Sequence, residues 1–496
     1  MKTSLRAALS VVLLIGFYVL TAGLVVALTI LGFGGGEYLD IAGSTATRGF
    51  LLGAAFFLLF TVVYITGWVL LVRPSPPVGV RLTPEQAPEL WRIVRDLAAG
   101  VAAQEPDEIR LVAGAHAAVT DSSRLLGLIP GRRRVVLGLP LLRTYTVDQL
   151  RAVLAHELGH FSRRHSRTVL LAHGGRTTVV EIARHTHLFL LRGLLTGYAR
   201  LHVAVEQAVS WQMEYEADRY AVSAAGRDAM TTALRELRVV ATGWEEYLAH
   251  HVTPAYESGH LPEDLFDGFA TYLAARREQV RQRSVEVAPT EPAWWDTHPS
   301  IGERIAALRF VRDVPVAADG RPATDLLLDV DATSRELRTS LFDHAGVQLL
   351  PWDRLTPALA CQAARGLAHP LFQAATGLTG RADADLDLLL DLFAADRYAD
   401  LAERLSPDAD AESALDALTA AFEGAVEAAT VDSGAAAWRH SWTGPPELLT
   451  TSGEPFPLGE IVELAADPAT VPAARERLAA LGVRTSATTP TGIVTA

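Results

Sequence analysis

From Ala7 to Gly36, and again from Gly49 to Val72, the chain carries no charged residue. Each run exceeds the roughly 20 residues a helix needs to cross the apolar core of a bilayer, so two transmembrane helices are expected. The first run is far longer than the apolar segment of a cleaved signal peptide. Beyond it the pattern changes. Pro74-Ser75-Pro76-Pro77 reads as a stiff linker leaving the membrane. Leu90, Ile93, Val94 and Leu97 recur at helical spacing and predict an amphipathic helix over Pro84–Ala103. Glu108–Val112 and Val135–Leu139 read as strands, the second after the turn signal Pro130-Gly131. A further helix is predicted at Val147–Arg163. Thr146 and Gln149 form a capping box at its start, and Leu150, Val153, Leu154, Leu158 and Phe161 supply its apolar face.

Leu188–Val205 is apolar but interrupted by Arg192, Arg200 and His202. Central arginines are costly in lipid, so an amphipathic helix at the membrane surface is expected there. Beyond about residue 310, Asp383, Asp385, Asp387, Asp391 and Asp396 sit among Leu and Ala and read as a solvated helix face. Ala411–Thr430 and Ala473–Leu481 are helical in character, and Thr485–Ala496 reads as disordered. The fold class expected is therefore mainly α with a small β-sheet. Two transmembrane helices over 1–73 precede an α+β domain at 74–312. A mostly helical acidic region at 313–484 and a disordered tail at 485–496 follow.

Charge refines this. Lys2 and Arg6 precede the first apolar run and Arg73 and Arg81 follow the second, whereas the connecting loop sets Glu37 and Asp40 against Arg48. The positive-inside rule then puts everything after residue 73 in the cytoplasm of a multi-pass plasma-membrane protein. A net charge of −13 argues against a nucleic-acid partner. The densest basic run, Arg132-Arg133-Arg134, reads as a solvated turn. Cys361, the only cysteine, cannot form an intrachain disulfide and fits a reducing compartment.

The chemistry is concentrated in His156-Glu157-Leu158-Gly159-His160. On a helix, residues four apart lie on one face, so both imidazoles can reach one Zn²⁺ while Glu157 addresses the water in the open position. A catalytic zinc wants a third protein ligand. His165 lies five residues past His160, about 140° around the helix, and faces the wrong way. Arg163 and Ser166 stand where a metzincin needs glycine and histidine, which excludes that class. A second helical stretch, Trp211–Arg219, offers Glu214 and Asp218 on a shared face. Glu214 is the candidate third ligand and Asp218 a carboxylate to orient a ligand histidine. Glu216 points elsewhere and is a weaker rival. His185, His187, His250, His251 and His260 read as surface residues.

These residues resemble the HtpX-like membrane metallopeptidases, gluzincins related to the type 1 CAAX prenyl endopeptidase. The resemblance covers about residues 75–312. It rests on His156-Glu157-x-x-His160, on Glu214-x-x-x-Asp218, and on a closing segment from Asp296-Thr297-His298-Pro299-Ser300 to Arg304-Ile305. It departs at His116-Ala117-Ala118-Val119-Thr120, where relatives often carry an Asn-Ala-Phe-like segment beside the cleft. The resemblance implies one zinc per chain on His156, His160 and Glu214, peptide hydrolysis with Glu157 as general base, and misfolded or membrane proteins as substrates. His298 and Arg304 are the candidates for stabilising the oxyanion, by resemblance and by their chemistry; His298 could equally be a residue at a helix start. An alternative is a catalytically silent membrane scaffold or sensor that retains the peptidase fold.

Overall fold

The computed structural model describes residues 2–38, 45–71, 76–121, 131–161, 178–185, 189–286, 298–342, 346–381 and 383–486. Helix α1 (Lys2–Tyr38) and helix α2 (Thr45–Leu71) contain apolar windows at Leu9–Phe33 and Thr45–Trp68, both long enough to cross a membrane. Val12, Ile15, Val19, Phe56, Phe60 and Tyr64 point outward from them, as apolar side chains do where the solvent is lipid. The expected disordered tail lies almost wholly outside the described residues, as do His165, His187, Asp296 and Thr297.

The chain divides into two compact units, residues 1–246 with 277–343, and residues 247–276 with 344–496. The second unit thus takes 247–276 from within the segment that the sequence assigns to the α+β domain.

In the first unit, β1 (Val80–Leu82), β2 (Glu108–Val112), β3 (Ala117–Asp121) and β4 (Arg133–Gly138) form one sheet in the order β1-β2-β4-β3. The β2–β4 pair is parallel and the two outer pairs are antiparallel, leaving β3 at an edge. Helix α3 (Pro88–Gly100) buries Leu90, Ile93, Val94 and Leu97, the stripe its sequence announces. Arg133 and Arg134 are not a solvated turn. They lie in β4 with little exposure, because Asp121 and the buried Glu108 supply carboxylates at 3.4 and 3.2 Å. Burial raises the Glu108 carboxyl, but Arg110 and Arg134 outweigh it and hold the group below the usual range.

After α4 (Leu139–Thr144) comes α5 (Val147–Gly159), which carries the histidine motif. Both hydrogen bonds of the Thr146–Gln149 capping box are formed. The apolar stretch at 188–205 is part of one long helix, α6 (Phe189–Ala225), which continues through Glu214 and Asp218. Its first turns do not lie apart from the two apolar helices. Leu195 and Ala199 are buried with Phe17, Leu58, Ile65 and residues 179–183 in one cluster. Helix α7 (Arg227–Tyr247) up to Glu246, the second half of α8 (Leu265–Glu286) and α9 (Ile301–Leu308) also belong to this unit.

In the second unit, β5 (His260–Pro262) and β6 (Gln348–Leu350) pair in parallel. Helix α10 (Trp352–Thr379) approaches α11 (Ala411–Ser433) closely at Gly424, where a Cβ would stand 2.6 Å from the Ala364 carbonyl oxygen. His251 departs from its surface reading. The π-helical turn Leu248–Val252 aims its ring among Tyr247, Tyr272, Trp352 and Trp442, with centroids 5.3–6.2 Å away. Burial, then His440 and Arg276, lower its pKa to about 4.

Candidate metal centre and active site

Helical spacing stacks His156 and His160 on one face of α5, with their Nε2 atoms 3.3 Å apart. Helix α6 crosses α5 and brings Glu214 to both: its Oε2 lies 3.4 Å from His156 Nε2 and its Oε1 3.3 Å from His160 Nε2. Close crossing depends on Gly159, where a Cβ would stand 3.0 Å from the Ala217 Cα and 3.2 Å from its Cβ.

A backbone atom cannot step aside as a flexible side chain can. Gly159→Ala is therefore expected to spread α5 and α6 by a few tenths of an ångström, at about 1–3 kcal/mol for overpacking. Because His160 is the next residue, zinc affinity should fall roughly tenfold, within the range for groups that orient metal ligands. Zinc titration and thermal unfolding of the variant check this; unchanged values would mean that the crossing is not tight.

Behind the ligand side chains lies a buried ionic layer. Asp218 Oδ1 is 2.9 Å from His156 Nδ1. Arg304, from the first turn of α9, donates Nε to Asp218 Oδ2 at 3.0 Å and Nη2 to Oδ1 at 2.5 Å. Its Nη1 is 3.6 Å from Glu214 Oε2, and the residue is 8% exposed. Ser300 and Glu303 cap α9 reciprocally, which fixes where Arg304 enters. His298, just before that cap, stands on the opposite, solvent-facing side. Its side chain is 64% exposed, with Nδ1 2.8 Å from Glu214 Oε1.

Burial and Arg304 both oppose a charge on His156, but hydrogen bonds to Asp218 and Glu214 outweigh them and raise it to about 9. Burial alone would raise Glu214; the imidazoles of His156 and His298 instead hold its carboxyl well below the usual range. Asp218 is likewise lowered, its burial outweighed by His156 and Arg304. Glu157 goes the other way. Burial raises it, with Glu214 adding to the effect, against a hydrogen bond from the Val119 backbone on edge strand β3.

The residues fit a bound cation. Donor atoms of His156, His160 and Glu214 all lie within 4.8 Å of one another. Glu214 Oε2 is buried and makes no close hydrogen bond, its nearest partners being His156 Nε2 at 3.4 Å and Arg304 Nη1 at 3.6 Å. Two imidazole nitrogens and a carboxylate are the donor chemistry of divalent transition metals, zinc foremost. Glu157, next to His156 and facing the sheet edge, is not in the donor cluster.

Such a donor cluster, beside a half-buried glutamate and a strand that lies at the sheet edge among the described residues, has the side-chain chemistry of a metallopeptidase. Residues 84–311 match the family model described as "Peptidase family M48", which supports an HtpX-like M48 metallopeptidase assignment for this segment. The chain is 28% identical over 188 residues to "Protease HtpX" of Stutzerimonas stutzeri (strain A1501), covering 34% of this chain and 56% of that protein. It thus spans about half the length of this curated relative. No solved structure matches the chain.

Sequence spacing alone names His156, His160, Glu157, Glu214 and Asp218, and the fold brings all five together. It also brings His298 and Arg304 to the site, but on opposite sides of Glu214. The Val119 backbone is the contact that the residue pattern does not announce, since any residue type offers an amide there.

Proposed function

We propose that this chain is a membrane-anchored zinc endopeptidase, with one zinc held by His156, His160 and Glu214 and with Glu157 as general base. Its substrates are membrane or membrane-proximal polypeptides, misfolded ones among them, cut on the cytoplasmic side. The observation that carries this reading is the convergence of donor atoms of His156, His160 and Glu214 within 4.8 Å of one another, beside a second glutamate. When bound, zinc supplies Lewis-acid chemistry, polarising the scissile carbonyl and making water more acidic.

The chain's own groups do the rest. An extended substrate adds to β3, the edge strand of the sheet among the described residues, held by backbone hydrogen bonds. Glu157, hydrogen-bonded by Val119 of that same strand, accepts the proton of the attacking water on a carboxylate oxygen. It then delivers the proton to the leaving amine. Asp218 accepts a hydrogen bond from His156 Nδ1, which leaves Nε2 as the metal-facing atom. His298 is the exposed donor placed to meet negative charge developing on the substrate. Arg304 is buried against Asp218 and acts through it as a positioning residue.

Metal removal tests this. Protein stripped with 1,10-phenanthroline should lose casein cleavage and regain it with one equivalent of zinc. Cleavage that survives stripping would overturn the metal's role. Stoichiometric zinc with no cleavage of any polypeptide would favour the scaffold reading.

A further inference from the structure

The long helix α6 ties the metal site to the apolar helices at a fixed distance. Tyr198 donates its hydroxyl hydrogen to the Leu13 carbonyl of α1 at 2.7 Å, an approach Gly16 permits because its Cβ would stand 2.5 Å from that hydroxyl. The cluster joining α6 to α1 and α2 runs from Leu14 to Val25 on α1 and from Leu191 to Ala199 on α6. Among the described residues it includes nothing earlier on α1 and nothing later on α6. Both helices therefore leave the apolar bundle at the same end.

Two observations put the boundary at residue 202. Leu201 is the last exposed large hydrophobic residue on α6. From His202 onward, every fourth residue is polar and buried: His202, Glu206, Ser210, Glu214 and Asp218. Arg200 is exposed and lies two residues before the boundary, near enough for a long side chain to carry its charge to the interface. Arg192 lies three turns deeper, at a cost of about 2.5–3.5 kcal/mol near a bilayer centre. Leu195 and Ala199 beside it pack in one cluster with Phe17 of α1 and with Leu58 and Ile65 of α2.

Glu214 is twelve residues past His202 on the same unbroken helix. At 1.5 Å per residue this is about 18 Å, and about 14 Å if α6 tilts by 40°. An extended chain advances about 3.3 Å per residue, so it covers that height in roughly four to six residues.

We propose that α6 is a ruler: for a substrate anchored in the same bilayer, the enzyme cuts only bonds at least four to six residues beyond the end of the substrate's own membrane span. This rests on the membrane-peptidase reading above and narrows its substrate class. The substrate is an extended juxtamembrane tail or loop, not a segment within lipid.

The test uses full-length protein in phosphatidylcholine vesicles. The reporters are single-span peptides carrying one casein-derived segment that the same preparation cuts. Spacers of 2, 4, 8 and 12 residues separate span and segment, and spanless versions of each peptide serve as controls. Cleavage at spacer 2 should be at least tenfold slower than at 8 or 12, with the spanless peptides cut equally. Cutting at spacer 2 within twofold of spacer 12, while casein is cut, would overturn the ruler alone. If casein itself survives, the proposal falls together with the peptidase reading.

Discussion

Glu157→Gln is expected to abolish nearly all peptide cleavage while leaving zinc in place. The amide matches the carboxylate in shape but cannot accept a proton, and a positioned general base contributes typically 10²–10⁴-fold. Loss of about that size in kcat is the expected outcome, read with casein or a fluorogenic peptide. Zinc content should stay at one per chain, because Glu157 is not among the converging donors His156, His160 and Glu214. Folding should not suffer either. Burial already works against the Glu157 carboxylate charge, so removing it costs little. Cleavage within threefold of wild type would remove Glu157 from the base's role. Zinc lost along with activity would mean that Glu157 binds metal.

Arg304→Met is expected to destabilise the first unit by about 3–5 kcal/mol, the range for removing one partner of a buried ion pair. Asp218 would keep its buried carboxylate and lose both hydrogen bonds from the guanidinium, retaining only His156. Arg304→Lys should recover part of the loss but not all. One ammonium cannot reproduce the two-pronged contact.

The same variant separates two roles for Arg304. A positioning residue behind Asp218 should weaken zinc binding by about 10–100-fold yet leave kcat near wild type at saturating zinc. A direct oxyanion donor should lower kcat by about 10²–10³ even at saturating zinc. The first outcome is expected, because the Nε and Nη2 of Arg304 are committed to Asp218 and the side chain is buried. Thermal unfolding, zinc titration and kcat of the zinc-saturated variant together decide it.

Legibility follows the range of the interaction. Strand β2 spans the residues its own pattern names, Glu108–Val112, because alternation and flanking turn signals are local. The start of α5 at Val147 follows from Thr146 and Gln149, three residues apart. Arg133 and Arg134 could not be read that way. Three consecutive arginines suggest a solvated turn until Glu108 and Asp121 arrive from neighbouring strands. His251 is similar: its ring is enclosed by Trp352 and Trp442, about 100 and 190 residues away in the chain.

The sequence by itself determined the two apolar helices, the pairing of His156 with His160, and the pairing of Glu214 with Asp218. Each is a matter of helical spacing or run length, closed within a few turns of one segment. Only the tertiary structure decided what stands on which side of Glu214. It put Arg304 in the buried layer against Asp218 and His298 at the open face, though six residues separate them in the chain. It also decided the height of the metal site, since α6 is one rigid helix gripping α1 at Tyr198 and presenting Glu214 sixteen residues later. Helical periodicity fixes a face, but the packing of one element on another fixes its neighbours, and that information is spread over the whole chain.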